Sequence, residues 1–351
     1  MKWTLSSASG FAAMAERWHA LHARVGASPL LAVEFVQPLL EQFGSGAEYL
    51  ACCEHQGRTV AMALVAPRGR LAWATFQPAQ APLGLWLQEA ALDSGALLAA
   101  LMPELPGMAL VFGLTQCDPD LMARLPDGDR VRTLDYIQSA KITLAGPFDA
   151  YWEGRGKNLR NNLKKQRARL ARDGIEVRMQ VSRQAHEVAA AVAQYGQLES
   201  AGWKAGGGTA VSADNDQGRY YRAMLEGFCR RGAGSIYRYW FGTELVAMDL
   251  CIEDGAQLIV LKTTYDEQVP SNLSPTLLMR EDQCRALFDE QRLGRVEFYG
   301  KLMEWHTRWT DEVRTLYHIN FYRWPALARL HARWQRRHAA APAPQKEHHG
   351  P

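Results

Sequence analysis

The chain has 351 residues, 47% hydrophobic and 22% charged, the balance of a folded protein with room for two domains, which excludes a disordered or collagen-like chain. Forty Lys and Arg against 37 Asp and Glu leave a formal charge of +3, so a generic polyanion binder is excluded and any basic function must be local. The most apolar stretch, residues 97–114, contains Pro103, Glu104, Pro106 and Gly107, so no integral membrane segment is expected.

Six cysteines, Cys52, Cys53, Cys117, Cys229, Cys251 and Cys284, show no CxxC and no zinc-ligand spacing. This is the usage of reduced thiols in a cytoplasmic protein with no metal site. Ser6, Ser7, Ser9 and Gly10 interrupt the apolar core that a signal peptide needs.

In chain order, Phe11, Met14, Ala15, Trp18 and Leu21 recur at helical spacing and predict an amphipathic first helix. Residues 58–65 and 71–76 read as strands, 87–101 as a helix and 108–114 as a strand. An extended run follows at 135–145 and is closed by Gly146-Pro147, where the domain boundary is expected. Beyond it come a long basic helix (about 149–173), a strand (175–181), a helix with the stripe Val188, Val192 and Tyr195, and a Gly-rich loop (205–208). A further helix (about 216–231) precedes three strands at 235–241, 245–252 and 257–264. Asp254-Gly255 between the last two is a hairpin signal. A helix from Pro275, a strand at 295–299, an aromatic-rich segment and a strand at 312–321 complete the pattern. Strands and helices without βαβ regularity predict an α+β class with a mostly antiparallel sheet, and the tail from 338 reads as disordered.

No P-loop, HExxH or GxSxG motif is present. Ser274 suits an N-cap and Pro275 a first helical position, so the segment Ser271-Asn272-Leu273-Ser274-Pro275-Thr276 reads either as an ordinary capped helix or as a phosphate site at a helix N-terminus. Lys157, Arg160, Lys164, Lys165, Arg167, Arg169 and Arg172 lie within sixteen acid-free residues, which fits a polyanionic partner or a solvated helix face. Lys262 stands in an apolar strand, where burial without a partner is costly, so it either reaches solvent or holds an anion.

The order of these features is telling: the basic helix Asn161 to Leu170, then Gly202-Trp203-Lys204, then the 235–264 strands ending in Leu261-Lys262-Thr263-Thr264-Tyr265-Asp266-Glu267, then Ser274-Pro275. It resembles the GNAT-fold acyltransferases over residues 145–320. The subgroup it is most similar to contains the Fem aminoacyl transferases of peptidoglycan synthesis and acetyltransferase-like proteins of cellulose and exopolysaccharide clusters. Ser28-Pro29-Leu30-Leu31 and its flanking short strands resemble the degenerate first unit of such two-unit proteins. The resemblance implies tandem GNAT-like units, each a mostly antiparallel twisted sheet flanked by helices: residues 1–145, then 146–337, then a disordered tail at 338–351.

It further implies an N-acyltransferase that moves an acetyl or other acyl group from acyl-CoA to a small-molecule or polysaccharide-precursor amine, in envelope or exopolysaccharide assembly. The thioester would lie in a V-shaped opening of the sheet, with its pyrophosphate on the loop 268–276. Lys262, Ser271, Asn272, Ser274 and Thr276 are the implied donor contacts, and Thr276 stands where the subgroup commonly has Gly. Arg160, Lys164, Trp203, Lys204 and Trp305 are the implied acceptor contacts. Trp305-His306 replaces an aromatic-Lys pair. Acyl transfer needs a base, a polarised carbonyl and a proton for the leaving thiolate. Asp249 or His306 is the candidate base, Tyr265 the acid, and strand N–H groups near 247–250 or 261–264 the carbonyl donors. The alternatives are an aminoacyl-tRNA donor, or a non-catalytic unit that holds RNA or an acidic surface through the 157–172 helix and Arg329, Arg333, Arg336 and Arg337.

Overall fold

The structure is a computed structural model that describes residues 1–200, 211–212 and 214–339, from 334 onward as backbone alone. Trp203, Lys204, the 205–208 loop and the tail from 340 lie outside the described residues. The first part comprises β1 (Lys2–Ser7), α1 (Phe11–Val25), α2 (Val33–Phe43), β2 (Tyr49–His55), β3 (Arg58–Pro67), β4 (Ala72–Thr75), β5 (Trp86–Gln88), α3 (Ser94–Leu101), β6 (Val111–Cys117) and β7 (Val131–Thr143). After α4 (Phe148–Glu153) and α5 (Lys157–Arg172) follow β8 (Val177–Ser182), α6 (Ala185–Ser200), α7 (Asp216–Arg230), β9 (Gly234–Phe241), β10 (Glu244–Glu253) and β11 (Gln257–Tyr265). The chain continues through α8 (Pro275–Glu290), β12 (Arg295–Phe298), α9 (Glu304–Thr307), β13 (Val313–Tyr322) and α10 (Pro325–Ala339).

Two sequence expectations are revised. The helix expected from residue 87 starts at Ser94, where the Asp93 carboxylate accepts from the Ala96 N–H at 2.6 Å, while Trp86–Gln88 pair with β3 as a strand. The long basic helix is two helices, because the chain turns at Gly154-Arg155-Gly156.

All strands join one sheet, in the order β1-β2-β3-β4-β6-β13-β7-β12-β11-β10-β9-β8, with β5 paired to β3. The order reads the same from both ends. Each half runs antiparallel through four strands, has one parallel pair (β4 with β6, β11 with β12), and ends on a strand from the other half of the chain. β7 completes the second half and β13 the first, and the two pair with each other at the centre. The two halves of the sheet are thus built alike and exchange their last strands.

One face of the sheet is covered by α1, α2, α6 and α7, which share a core around Trp18, Phe35, Tyr195, Tyr220 and Phe228. On the other face α3 covers the first half, and α4, α5 and α8 cover the second. The apolar stripes that mark α1 and α6 in the sequence therefore bury against each other's neighbours and bind the two units into one core.

Parallel pairing in each half is brief, so each half has a place where two strands diverge. β4 and β6 pair only at Ala72–Ala74 with Val111–Gly113, and β11 and β12 only at Gln257–Ile259 with Arg295–Glu297. The first opening is filled by its own chain. The segment between β4 and α3 folds back as β5, and the Gly84 N–H donates to the Thr115 carbonyl at 3.0 Å. A Cβ at Gly84 would lie 2.4 Å from that carbonyl oxygen and 2.6 Å from Thr75 Oγ1. Gly84→Ala is expected to destabilise the protein by about 1–3 kcal/mol through this overpacking, read as a lower denaturant midpoint with unchanged slope. The second opening has a shorter connection, residues 266–274, and stays open.

Candidate active site

β11 forms one wall of the second opening. Its alternation puts Leu258 and Val260 against the α4/α5/α8 layer and Ile259 and Leu261 against the α6/α7 layer. The ladder to β10 then skips Leu261: Cys251 faces Val260 while Leu250 faces Lys262. One extra residue in a strand turns every later side chain to the opposite face. Lys262 consequently follows Leu261 toward α6, and Thr263 turns toward α8.

That bulge decides what Lys262 does. Its ammonium lies 3.3 Å from Oε1 of Glu199, a carboxylate buried at the end of α6, and over the rings of Tyr195 and Tyr221 at 5.7 and 5.5 Å. Glu199 also accepts from the Val211 N–H at 2.7 Å. The lysine lines the cleft and holds an anion, but that anion is a carboxylate of the protein itself.

Asp249, on β10 opposite Thr263, is fully buried. Thr263 Oγ1 donates to its Oδ1 at 2.6 Å, and Arg280 Nη2 stands 2.9 Å from its Oδ2. Arg280 is 2% exposed and packs over the Phe298 ring. The pair sits beneath the cleft: Arg280 and Thr263 line it, Asp249 does not. A carboxylate sealed in this way is not within reach of a substrate amine, which removes the geometry expected of a base at Asp249.

The far wall is the segment after β12. The Tyr299 hydroxyl donates to buried Asp118 at 2.8 Å, and Arg314 clamps both oxygens of Asp118 at 2.8 and 2.6 Å. The first unit thus holds the wall of the second unit's cleft. His306, on the single turn of α9, is 4% exposed, stacks on Trp305 with ring centroids 3.6 Å apart, and meets Phe298 edge-on at 5.4 Å. The Met303 N–H donates to its Nδ1 at 2.9 Å, which assigns the proton of the neutral ring to Nε2. Burial, with a smaller push from Arg280, lowers its pKa to about 4. An imidazole in that state donates from Nε2 and is a poor proton acceptor, contrary to the basic role expected from the sequence.

The cleft between these walls has a volume of about 1150 Å³. It gathers Lys262, Tyr265, Ser271, Ser274, Thr276, Trp305 and His306 of the residues singled out in the sequence, and Asn272 lies exposed on the adjoining loop. Ser274 is the N-cap of α8 and Pro275 its first residue, although the Ser274 side chain makes no capping hydrogen bond. The Ser274 N–H is taken by the Gln166 side chain of α5 at 2.8 Å, Pro275 has none, and the Leu277 and Leu278 N–H groups return to the Ser274 carbonyl. This leaves the Thr276 N–H as the first-turn donor open to a ligand. Arg160 and Lys164 lie elsewhere, in a hollow of about 420 Å³ shared with Trp152, Asn161, Arg167 and Glu281.

Arg280, Glu199, Asp266 and Trp309 were not singled out. Arg280 follows the apolar run Leu277-Leu278-Met279 and opens the charged run Arg280-Glu281-Asp282, so its burial has no local signal, whereas the need of Lys262 for a buried partner was a pointer to Glu199. Nothing in the local sequence marks Trp309, which is fully buried at the inner end of the cleft.

With this geometry in view, residues 157–307 match the family model described as an acetyltransferase (GNAT) domain. The chain has a GNAT-like acyltransferase fold. Solved structures of similar fold include the DUF2156 domain of an Agrobacterium fabrum protein, at 14% identity and a TM-score of 0.55 over 92% of this chain and 97% of that one. L-PGS from Bacillus licheniformis matches at 14% identity and 0.50 over 91% and 96%, and FemX at 8% and 0.54 over 94% and 99%. Likeness at these identities concerns the fold. No curated protein matches the chain. Among the described residues no helix is long and apolar enough to cross a membrane.

Proposed function

We propose that the protein is an N-acyltransferase whose second-unit cleft holds an acyl thioester and passes its acyl group to an amine. The observation that carries this reading is the splay: beyond Ile259 the edge of β11 that faces the cleft has no ladder partner, so its backbone is open to a ligand lying along it. In the transfer, the acceptor ammonium first gives one proton to bulk water; the free amine nitrogen then forms a bond to the carbonyl carbon, the C–S bond breaks, and the second proton lost by the nitrogen balances the one taken up by the thiolate. β11 N–H groups and the His306 Nε2–H polarise the carbonyl oxygen, and the Tyr265 hydroxyl, 45% exposed at the mouth, protonates the thiolate. Asp266, lining the mouth, attracts the acceptor ammonium. Asp249 acts as a positioning residue through Arg280 and Thr263.

The donor in this reading is acetyl-CoA or another acyl-CoA, with Ser271, Asn272, Ser274 and Thr276 beside its phosphates. The acceptor is a small-molecule or polysaccharide-precursor amine of envelope or exopolysaccharide assembly in the cytoplasm. One observation favours a second donor, aminoacyl-tRNA: the α8 end has few open N–H groups, while Lys157, Lys164 and Lys165 are exposed on the adjoining α5 and pair with no carboxylate among the described residues.

Calorimetric titration with acetyl-CoA and desulfo-CoA at two salt concentrations separates the two. One-site binding of both supports an acyl-CoA donor. No binding by a folded sample, together with tRNA binding that weakens steeply with salt and upon neutralising Lys164 and Lys165, would replace it with the second.

A further inference from the structure

The cleft has to hold the donor's pantetheine arm as well as its acyl group, and its chemistry is uneven. Its volume, about 1150 Å³, is at the upper end for sites that enclose whole organic ligands. Three cations line it, and each is met by a carboxylate of the protein: Lys262 by Glu199 at 3.3 Å, Arg280 by Asp249 at 2.9 Å, and Arg308 by Glu304 at 2.9 Å. The walls are otherwise apolar toward the α4/α5/α8 layer, where Val269, Leu273, Leu277, Phe298, Trp305 and Trp309 converge. Leu277, Phe298 and Trp309 are 9%, 3% and 0% exposed and belong to the core, whereas Val269, Leu273 and Trp305 are half-buried and open to the cleft. With the pantetheine arm along the open edge of β11, a two-carbon acyl group would not reach across this apolar wall, and removing apolar surface from water is the largest favourable contribution such a wall has to give.

We propose that the acyl group this protein accepts is a medium or long unbranched fatty chain, seated along Val269, Leu273 and Trp305 with its end toward Trp309. This proposal rests on the acyl-transfer reading above and deepens it by naming the donor's acyl class. The thioester carbonyl lies at the open edge of β11, beside His306 Nε2, and the chain runs from there under the loop that precedes α8. The paired state of all three lining cations agrees with a chain that brings no charge, because an anionic acyl group would have to break one of these pairs to be bound.

The test compares acetyl-, octanoyl- and dodecanoyl-CoA by calorimetry with the full-length protein. Each methylene taken out of water is worth about fourfold in affinity, so octanoyl-CoA, with six carbons more than acetyl-CoA, is expected to bind about sixtyfold more tightly even if only half of those six are covered. Leu273→Asp and Val269→Asp place a charge on the half-buried loop without opening the core, and each is expected to reduce the octanoyl-to-acetyl affinity ratio by about tenfold or more. Equal affinity for the three donors overturns the fatty-chain proposal and leaves the acyltransferase reading standing. A large ratio that neither variant alters overturns the placement of the chain. Failure of all three donors to bind overturns both.

Discussion

Asp249→Ala is expected to cost the fold about 3–5 kcal/mol, because it leaves the Arg280 guanidinium, 2% exposed, buried with no opposite charge. The loss comes from the stranded partner more than from the pair itself. A double change to apolar residues of similar volume, Asp249→Leu with Arg280→Met, is therefore expected to be much less damaging than either single change. Denaturant unfolding of the three variants checks this, and a double mutant as unstable as the sum of the singles would show that Asp249 and Arg280 act independently. Activity separates the roles: Arg280 lines the cleft, so the double mutant is expected to refold and yet lose acyl transfer.

His306→Phe is expected to lower kcat by about 10²–10³ with a smaller change in KM, the size of effect seen when one preorganised donor to a developing oxyanion is removed. Phe keeps the ring stack on Trp305 and loses both the Nε2–H and the Nδ1 acceptor of the Met303 N–H, so about 1 kcal/mol of stability is expected to go while the fold survives. The pH dependence distinguishes a donor from a base. With its folded pKa lowered to about 4 by burial, His306 is neutral from about pH 5 upward, and wild-type kcat is expected to show no inflection from it between pH 6 and 8. Below that range the unfolded chain binds a proton that the folded chain refuses. The stability held by neutral His306 is thus complete above the unfolded value near 6.5 and lost as pH falls toward 4. An inflection near pH 6–7 that disappears in His306→Phe would restore the basic role.

Much of the architecture was legible because the signals were periodic. The 235–264 strands, the hairpin at Asp254-Gly255, the N-cap at Ser274 and the stripes of α1 and α6 follow from side-chain spacing and turn chemistry alone. The resemblance added the V-shaped opening and the loop 268–276 at its edge, while its place between β11 and β12 is read from the short pairing of those strands. What spacing does not carry is pairing between distant segments. The exchange of β7 and β13 depends on contacts nearly two hundred residues apart, such as Thr133 with Ile319, and no local pattern announces it. The role of Lys262 was hidden for a related reason: a one-residue bulge at Leu261 turned it from the edge toward Glu199, and a bulge has no signature in a run of Leu, Ile and Val. His306 was recognised by type, but its tautomer is set by the Met303 N–H, a matter of three-dimensional geometry.

The first unit also gains a physical role. Its own opening is closed by the Gly84 segment, and its Asp118, at the end of β6, anchors Tyr299 on the wall of the second opening. It supports the cleft from behind, and the cavity left beside its own Gly84 segment is far smaller, about 330 Å³.

The most direct measurement is hydrogen–deuterium exchange of the full-length protein with and without octanoyl-CoA, resolved by mass spectrometry. The account predicts new protection in residues 260–277 and 298–309, the two walls of the second opening, and none in 72–76 or 111–118, where the first opening is closed. Protection of the first-unit segments, or an unchanged pattern at saturating ligand, would contradict it.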